Sequence, residues 1–156
     1  MWKKIKPYVI SVAFALGVGG LSALLTAGNT DLYSQIAQPP LAPPPWLFPV
    51  VWTILFILMG ISSAIIFTSD APKKDISSAL TVYGINLFLN FFWSIIFFNM
   101  RAYLFAFFWL IALWATILAM IIKFIKVKPL AGYLQIPYLL WVTFAGYLTL
   151  AISILN

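Results

Sequence analysis

Residues 38–52 read Gln38-Pro39-Pro40-Leu41-Ala42-Pro43-Pro44-Pro45-Trp46-Leu47-Phe48-Pro49-Val50-Val51-Trp52 and hold six of the ten prolines in the chain. Each proline fixes φ, offers no backbone N–H, and pushes the residue before it into extended backbone. Residues 38–45 therefore read as a stiff strap close to polyproline II. Proline suits the first turn of a helix, so Pro45 predicts a helix start that carries Trp46 and Trp52 on its first turns. Pro49, about one turn later, fits a membrane helix provided its freed carbonyl finds another partner. A rigid strap with aromatic side chains at its exit suggests a lid over a binding site; the plainer alternative is an interhelical connector.

The strap lies between two long apolar segments, and the rest of the 156-residue chain repeats that pattern. Hydrophobic residues make up 64% and charged residues 8%, against about 25% charged in a soluble domain. Uncharged stretches run over 7–30, 32–69, 76–100, 102–122 and 129–156. Each supplies the roughly 20 apolar residues that cross a bilayer at 1.5 Å per residue. The expected fold is an all-α integral membrane protein, one five-helix transmembrane bundle over 1–156. Its helices are expected at about 7–27, 45–68, 77–99, 103–125 and 130–154, with a lid loop over 28–45. The first segment, basic and then apolar, has a run of about 20 residues with no Ala-x-Ala site, so it reads as a retained helix rather than a signal peptide.

The net charge of +6 comes from residues at helix ends, which argues against a nucleic-acid partner. Lys3, Lys4, Lys6, Lys73, Lys74, Lys123, Lys126 and Lys128 fall on one side of the predicted bundle and Arg101 alone on the other. That asymmetry predicts a cytoplasmic N-terminus, with the strap and the C-terminus across the bilayer. Cys, His and Glu are absent, and Asp31, Asp70 and Asp75 lie outside the spans. These absences exclude thiol and Ser–His chemistry and His- or Cys-based metal sites. They also remove the intramembrane carboxylate or His that a proton-coupled pump uses. No metal ligands and no required cofactor are expected, and a haem would have only Met or Tyr as axial ligand.

Within the spans, the polar and aromatic residues form patterns. Small-xxx-small pairs Ala13–Gly17, Ala15–Gly19 and Gly19–Ala23 mark the first helix for close packing, either within the bundle or as a homodimer seam. Trp52, Phe56 and Met59 share one face of the second helix. Tyr83, Asn86, Asn90, Trp93 and Phe97 form a stripe along the third. Two amides in hydrocarbon need partners. They supply interhelical hydrogen bonds or face a polar cavity, and Asn beside Trp favours the cavity. The fourth helix is apolar all round and aromatic-rich, which suits lipid exposure and structural duty. In the fifth, Gln135, Tyr138, Trp141 and Ala145 share a side, and Pro137 should kink the helix. Three helices thus bring Trp52, Asn86, Asn90, Trp93 and Trp141, with the stiff lid, to common ground between them, where bundle proteins place ligands.

These residues resemble the translocator protein / tryptophan-rich sensory protein family (TspO, the peripheral benzodiazepine receptor). The resemblance covers nearly the whole chain. It rests on Pro43-Pro44, Pro49-Val-Val-Trp52, Met59-Gly60, Leu89-Asn90, Trp93, Phe97-Phe98-x-x-Arg101 and Pro129-Leu130-Ala131. The longest match is Pro137-Tyr138-Leu-x-Trp141-x-x-Phe144-Ala145. It implies a usually dimeric five-helix bundle that binds a tetrapyrrole such as protoporphyrin, or drug-like hydrophobic ligands, under the first loop. It places the protein in the lipid bilayer, here of a bacterial cell membrane. The expected ligand-binding residues are Tyr33, Pro43, Pro44, Trp52, Phe56, Asn86, Asn90, Trp93, Tyr138, Trp141 and Ala145. The function it implies is a receptor or carrier. The alternatives are a light-dependent porphyrin-degrading protein, with Trp52 and Trp141 as the catalytic candidates, and a structural or regulatory subunit with no ligand of its own. The chain departs from the family at Leu32-Tyr33 and Gln38-Pro39-Pro40-Leu41, so its lid is less aromatic and less basic. The sterol motif of animal members is also missing, since Leu150 and Ile154 stand where a Tyr and an Arg would.

Overall fold

In the computed structural model, which describes residues 1–156, every regular element is helical. Helix α1 runs Trp2–Thr26 and ends in a 3-10 turn, Ala27–Asn29. The single turn α2, Leu32–Gln35, leads into the strap. Helix α3 covers Leu47–Phe67, α4 Lys73–Ser94 with a π turn over Ile95–Asn99, and α5 Tyr103–Val127. A short α6, Pro129–Tyr133, precedes α7, Ile136–Leu155. Five helical stretches are long and apolar enough to span a membrane. The shortest, the 21 residues of α3, reaches about 31 Å, the thickness of a hydrocarbon core.

Helix α1 packs on α3, α4 on α5, and α5 on α6 and α7. Small residues set the tightest approach. A Cβ on Gly60 would lie 2.4 Å from the Val12 Cα, so α1 and α3 touch backbone to backbone there. Ala15 is fully buried and Gly19 faces the Phe56 ring, whereas Gly17 and Gly20 have open space around them. The small residues of α1 thus divide, with Ala15 and Gly19 serving the bundle and Gly17 and Gly20 its outside.

The structure alters several expectations. Helix α1 begins at Trp2 rather than near residue 7, with Pro7 inside it. Helix α3 begins at Leu47, after a turn in which the Pro44 carbonyl accepts from the Leu47 N–H at 3.1 Å. Pro49 is thus the third residue of the helix, where a backbone N–H has no intrahelical acceptor, so it frees no carbonyl. Pro137 does not kink a continuous helix; the chain breaks. Its missing N–H and its ring both oppose the carbonyl four residues back, that of Tyr133, the last residue of α6. Pro137 then sits in the first turn of α7. Helix α5 has both an exposed side, with Leu104, Phe105, Phe108, Ile111 and Ile122, and a packed one. It buries Ala106, Leu110, Leu113, Ile117, Met120, Ile121 and Phe124 against α4, α6 and α7.

Candidate functional site

A cavity of about 550 Å³ opens beneath the strap, within the 300–1,000 Å³ of small-molecule sites. Its walls come from α1, α3, α4 and α7, and neither α5 nor α6 contributes. Helix α1 supplies Gly19, Ser22, Ala23 and Thr26; α3 supplies Phe48, Pro49, Trp52 and Phe56. From α4 and its π turn come Asn90, Trp93, Ser94, Phe97 and Phe98. The π turn bonds the Met100 N–H to the Ile95 carbonyl at 3.0 Å, and adjacent Phe97 and Phe98 both reach the cavity. Helix α7 adds Trp141, Ala145, Leu148, Thr149 and Ile152. The exposed lining residues Ala23, Thr30, Asp31, Ser34, Pro45, Trp46 and Pro49 mark the mouth, between the end of α1, the lid and the start of α3.

Aromatic rings hold the lid to the walls. Tyr33 meets Phe48 edge-on with centroids 5.0 Å apart, and Phe48 meets Trp141 at 5.8 Å. Trp93 stacks on Phe97 at 5.2 Å. Trp52 lies 5.8 Å from Phe56 and 6.2 Å from Tyr138. The strap is also tied by hydrogen bonds. Tyr33 Oη donates to the Pro43 carbonyl at 2.9 Å, and Tyr147 Oη to that of Pro40 at 2.6 Å. The Asn156 amide pairs with both backbone groups of Ala37, at 3.1 and 3.2 Å, and Gln38 Nε2 donates to the Tyr33 carbonyl. Leu41 turns the strap in left-handed backbone, φ 70°. Burial raises the pKa of the Tyr33 phenol, in keeping with a neutral donor under the strap.

Of the residues expected at the site, Tyr33, Trp52, Phe56, Asn90, Trp93, Trp141 and Ala145 lie on the cavity wall. The other four do not. The Pro43 carbonyl receives the Tyr33 hydroxyl, and Pro44 serves the turn into α3. Asn86 and Tyr138 are buried below the floor. There Tyr138 Oη donates to Asn86 Oδ1 and accepts from Asn90 Nδ2, both at 2.7 Å. The stripe on α4 therefore divides. Asn90, Trp93 and Phe97 face the cavity, while Asn86 takes up the interhelical hydrogen bond that was the other reading of these amides. Gln135 is also away from the cavity, buried at the α6–α7 break with its amide unpaired. Residues not singled out as site members include Asp31, Trp46, Phe48, Leu148 and Thr149. Leu148 and Thr149 continue the face of Trp141 and Ala145 by one helical turn, a signal the sequence carried.

The indoles separate by duty. Trp109 Nε1 donates to the Leu89 carbonyl at 2.6 Å and Trp114 Nε1 to Thr143 Oγ1 at 2.8 Å. On the cavity wall, the buried Nε1 groups of Trp93 and Trp141 have no acceptor. Both nitrogens are closed off from solvent and from the cavity space, so they are unpaired groups within the packed wall, while the indole rings form its surface.

The TspO/MBR family model matches residues 9–155. The chain belongs to this family. It is 35% identical to the tryptophan-rich protein TspO of Chlorobaculum tepidum over 100% of this chain and 99% of that protein. It is 32% identical to protein CrtK of Rhodobacter capsulatus, over 96% and 90%. The Bos taurus translocator protein is 33% identical, over 91% and 87%. Membership makes this TspO/MBR chain an integral membrane protein, in agreement with its five spanning helices.

Proposed function

We propose that this membrane protein is a receptor or carrier for flat hydrophobic molecules of tetrapyrrole-like size, taken into the cavity beneath the strap. The observation that carries the reading is the cavity itself: about 550 Å³, walled by Trp52, Trp93, Trp141, Phe48 and Phe97. Aromatic walls bind a macrocycle face by dispersion and stacking. Several relatives are named translocator proteins, which agrees with a carrier. The protein works as a homodimer, with Gly17 and Gly20 on the free face of α1 available for a close helix contact. It resides in a bacterial cell membrane with the lysine-rich end cytoplasmic and the lid on the far side.

The test is a titration of the purified protein with a porphyrin in the dark, followed by Trp fluorescence quenching. Saturable quenching supports the reading, and its absence refutes it. The same titration under illumination tests a second one, favoured by the presence of oxidisable Trp52 and Trp141 in the lining of the same cavity. Time-dependent loss of the porphyrin spectrum would mark degradation rather than binding alone.

A further inference from the structure

The lysine-rich end of the bundle carries more positive charge than its own acids balance. Eight lysines stand there against Asp70 and Asp75. Asp75 lies in the first turn of α4, where it meets the positive end of that helix. Lys123 is set apart from the other lysines by its position. It is half-buried and lies one turn inside the end of α5, which closes at Val127. Its Nζ donates to Ser78 Oγ of α4 at 2.7 Å. A hydroxyl takes up one of the three N–H donors and neutralises none of the charge. Lys74, one turn before Ser78 on α4, and Lys126, one turn after Lys123 on α5, are exposed on the same two helix faces.

From this cluster an apolar seam between α4 and α5 runs toward the bilayer centre. Two side-chain bonds fix its ends, Lys123 to Ser78 at one and Trp109 Nε1 to the Leu89 carbonyl, at 2.6 Å, at the other. Between them the α5 edge carries Ala119, Thr116 and Ala112 at helical spacing, and the α4 edge carries Val82 and Ile85. All five keep part or most of their surface exposed. The Thr116 hydroxyl turns back to the Leu113 carbonyl at 2.7 Å, so it is satisfied within its own helix. From Ser78 to Leu89 the seam is about 16 Å long. That is about half of a hydrocarbon core, the depth of one leaflet.

We propose that this seam binds an anionic phospholipid, its phosphate held by Lys123, Lys126 and Lys74 and one acyl chain lying along the small residues of α5. A cation at membrane depth is costly without a countercharge. A phosphate supplies that charge and acceptors for the remaining Nζ protons. A zwitterionic phospholipid fits the strip equally but brings its own ammonium group, which opposes the lysines. A soluble phosphate monoester fits the lysines and gains nothing from the strip.

Native mass spectrometry of the full-length protein in detergent tests this by reading the binding constant of the first lipid. The probes are dioleoyl phosphatidylglycerol and dioleoyl phosphatidylcholine, with glycerol 3-phosphate as a soluble competitor. Each lysine near an anionic headgroup contributes a factor of about 5, so wild type should hold phosphatidylglycerol roughly 5- to 30-fold more tightly than phosphatidylcholine. Lys123→Gln keeps a donor for Ser78 and should lower that ratio about 5-fold; Lys126→Gln, at an exposed position, should lower it by a similar factor. Lys4→Gln makes the same charge change on α1 and should leave the ratio at its wild-type value. Equal binding of the two lipids by wild type, or a ratio unmoved by Lys123→Gln and Lys126→Gln, would overturn the proposal. So would a ratio that falls as far in Lys4→Gln as in Lys123→Gln, since the charge would then act diffusely. Displacement of phosphatidylglycerol by excess glycerol 3-phosphate would overturn the lipid assignment and mark a site for soluble anions instead.

Discussion

Replacing Tyr138 by Phe removes one oxygen from the hydrogen bonds that join α4 to α7. That hydroxyl accepts from Asn90 Nδ2 and donates to Asn86 Oδ1, each at 2.7 Å, in a fully buried position. The ring is kept, so no cavity forms and its edge contact with Trp52 survives. What is lost is two hydrogen bonds, and two buried amide groups are left without partners. Measured interhelical hydrogen bonds in membranes average about 0.6 kcal/mol, which sets a floor near 1.2 kcal/mol for the pair. Orphaning a buried polar group costs about 1–3 kcal/mol, which raises the expectation to about 2 kcal/mol in total. Asn86 Nδ2 is already unpaired, so the site has no spare partner to absorb the loss. Reversible unfolding in mixed micelles, titrated with a denaturing detergent, measures the change. A cycle with Asn90→Ala isolates the shared bond, since the double variant should lose less than the two single changes added together. A Tyr138→Phe protein within about 0.3 kcal/mol of wild type, or strict additivity in the cycle, would refute a bridging hydroxyl.

Four further outcomes follow from the same structure. Trp52→Phe and Trp141→Phe should each weaken porphyrin binding by about 0.5–1.5 kcal/mol, the worth of an aromatic pair, seen as a roughly 2- to 12-fold rise in dissociation constant; unchanged affinity in the double variant would remove both from the site. Tyr147→Phe deletes the 2.6 Å bond to the Pro40 carbonyl and should raise hydrogen exchange at Ala37 and Ala42 by roughly 2- to 12-fold, reading a bond worth about 0.5–1.5 kcal/mol. Gly60→Ala drives a methyl group into the Val12 backbone and should destabilise the bundle by about 1–3 kcal/mol in the same micelle assay. A reporter active only in the cytoplasm, fused after Asn156, should be silent, and activity there would reverse the assigned orientation.

The elements were legible because the bilayer imposes a length and a composition on each of them. Charges at 70–75 and at 123–128, and the proline run at 39–49, separated the spans to within a few residues, apart from the early start at Trp2. The Pro137 region was half-legible. Proline marks trouble in a helix, but whether the chain bends or breaks depends on whether the neighbouring turn can close, and here it closes at Leu134 and Gln135. The facing of α5 was illegible for a reason peculiar to lipid. In water, an apolar face is an inward face; in hydrocarbon, a lipid-facing Leu and a buried Leu are the same choice, so no polar stripe marks the outside. Residues such as Phe105 and Phe108, exposed, and Leu110 and Leu113, buried, differ in nothing that composition records.

Polar residues carried the information instead, yet they carry two messages in one alphabet. Asn86 and Asn90 are the same residue type, one turn apart on the same helix face. One closes a hydrogen bond beneath the floor, and the other both shares that bond and borders the cavity. What separates them is the height at which Tyr138 crosses from α7. That height is set by the helix break before Pro137 and by the packing of α7 on α5, not by α4. Trp behaves likewise. Trp109 and Trp93 sit on neighbouring helices, but the first finds the Leu89 carbonyl and the second finds no acceptor. A donor's partner is a fact about the opposite helix, so sequence can nominate a polar group in a membrane bundle while only the packed structure decides whether it is satisfied. The unsatisfied groups fall both on residues beside the cavity, Trp93 and Trp141, and away from it, at Tyr83, Asn86 and Gln135, so an unpaired group in this bundle does not by itself mark the ligand site.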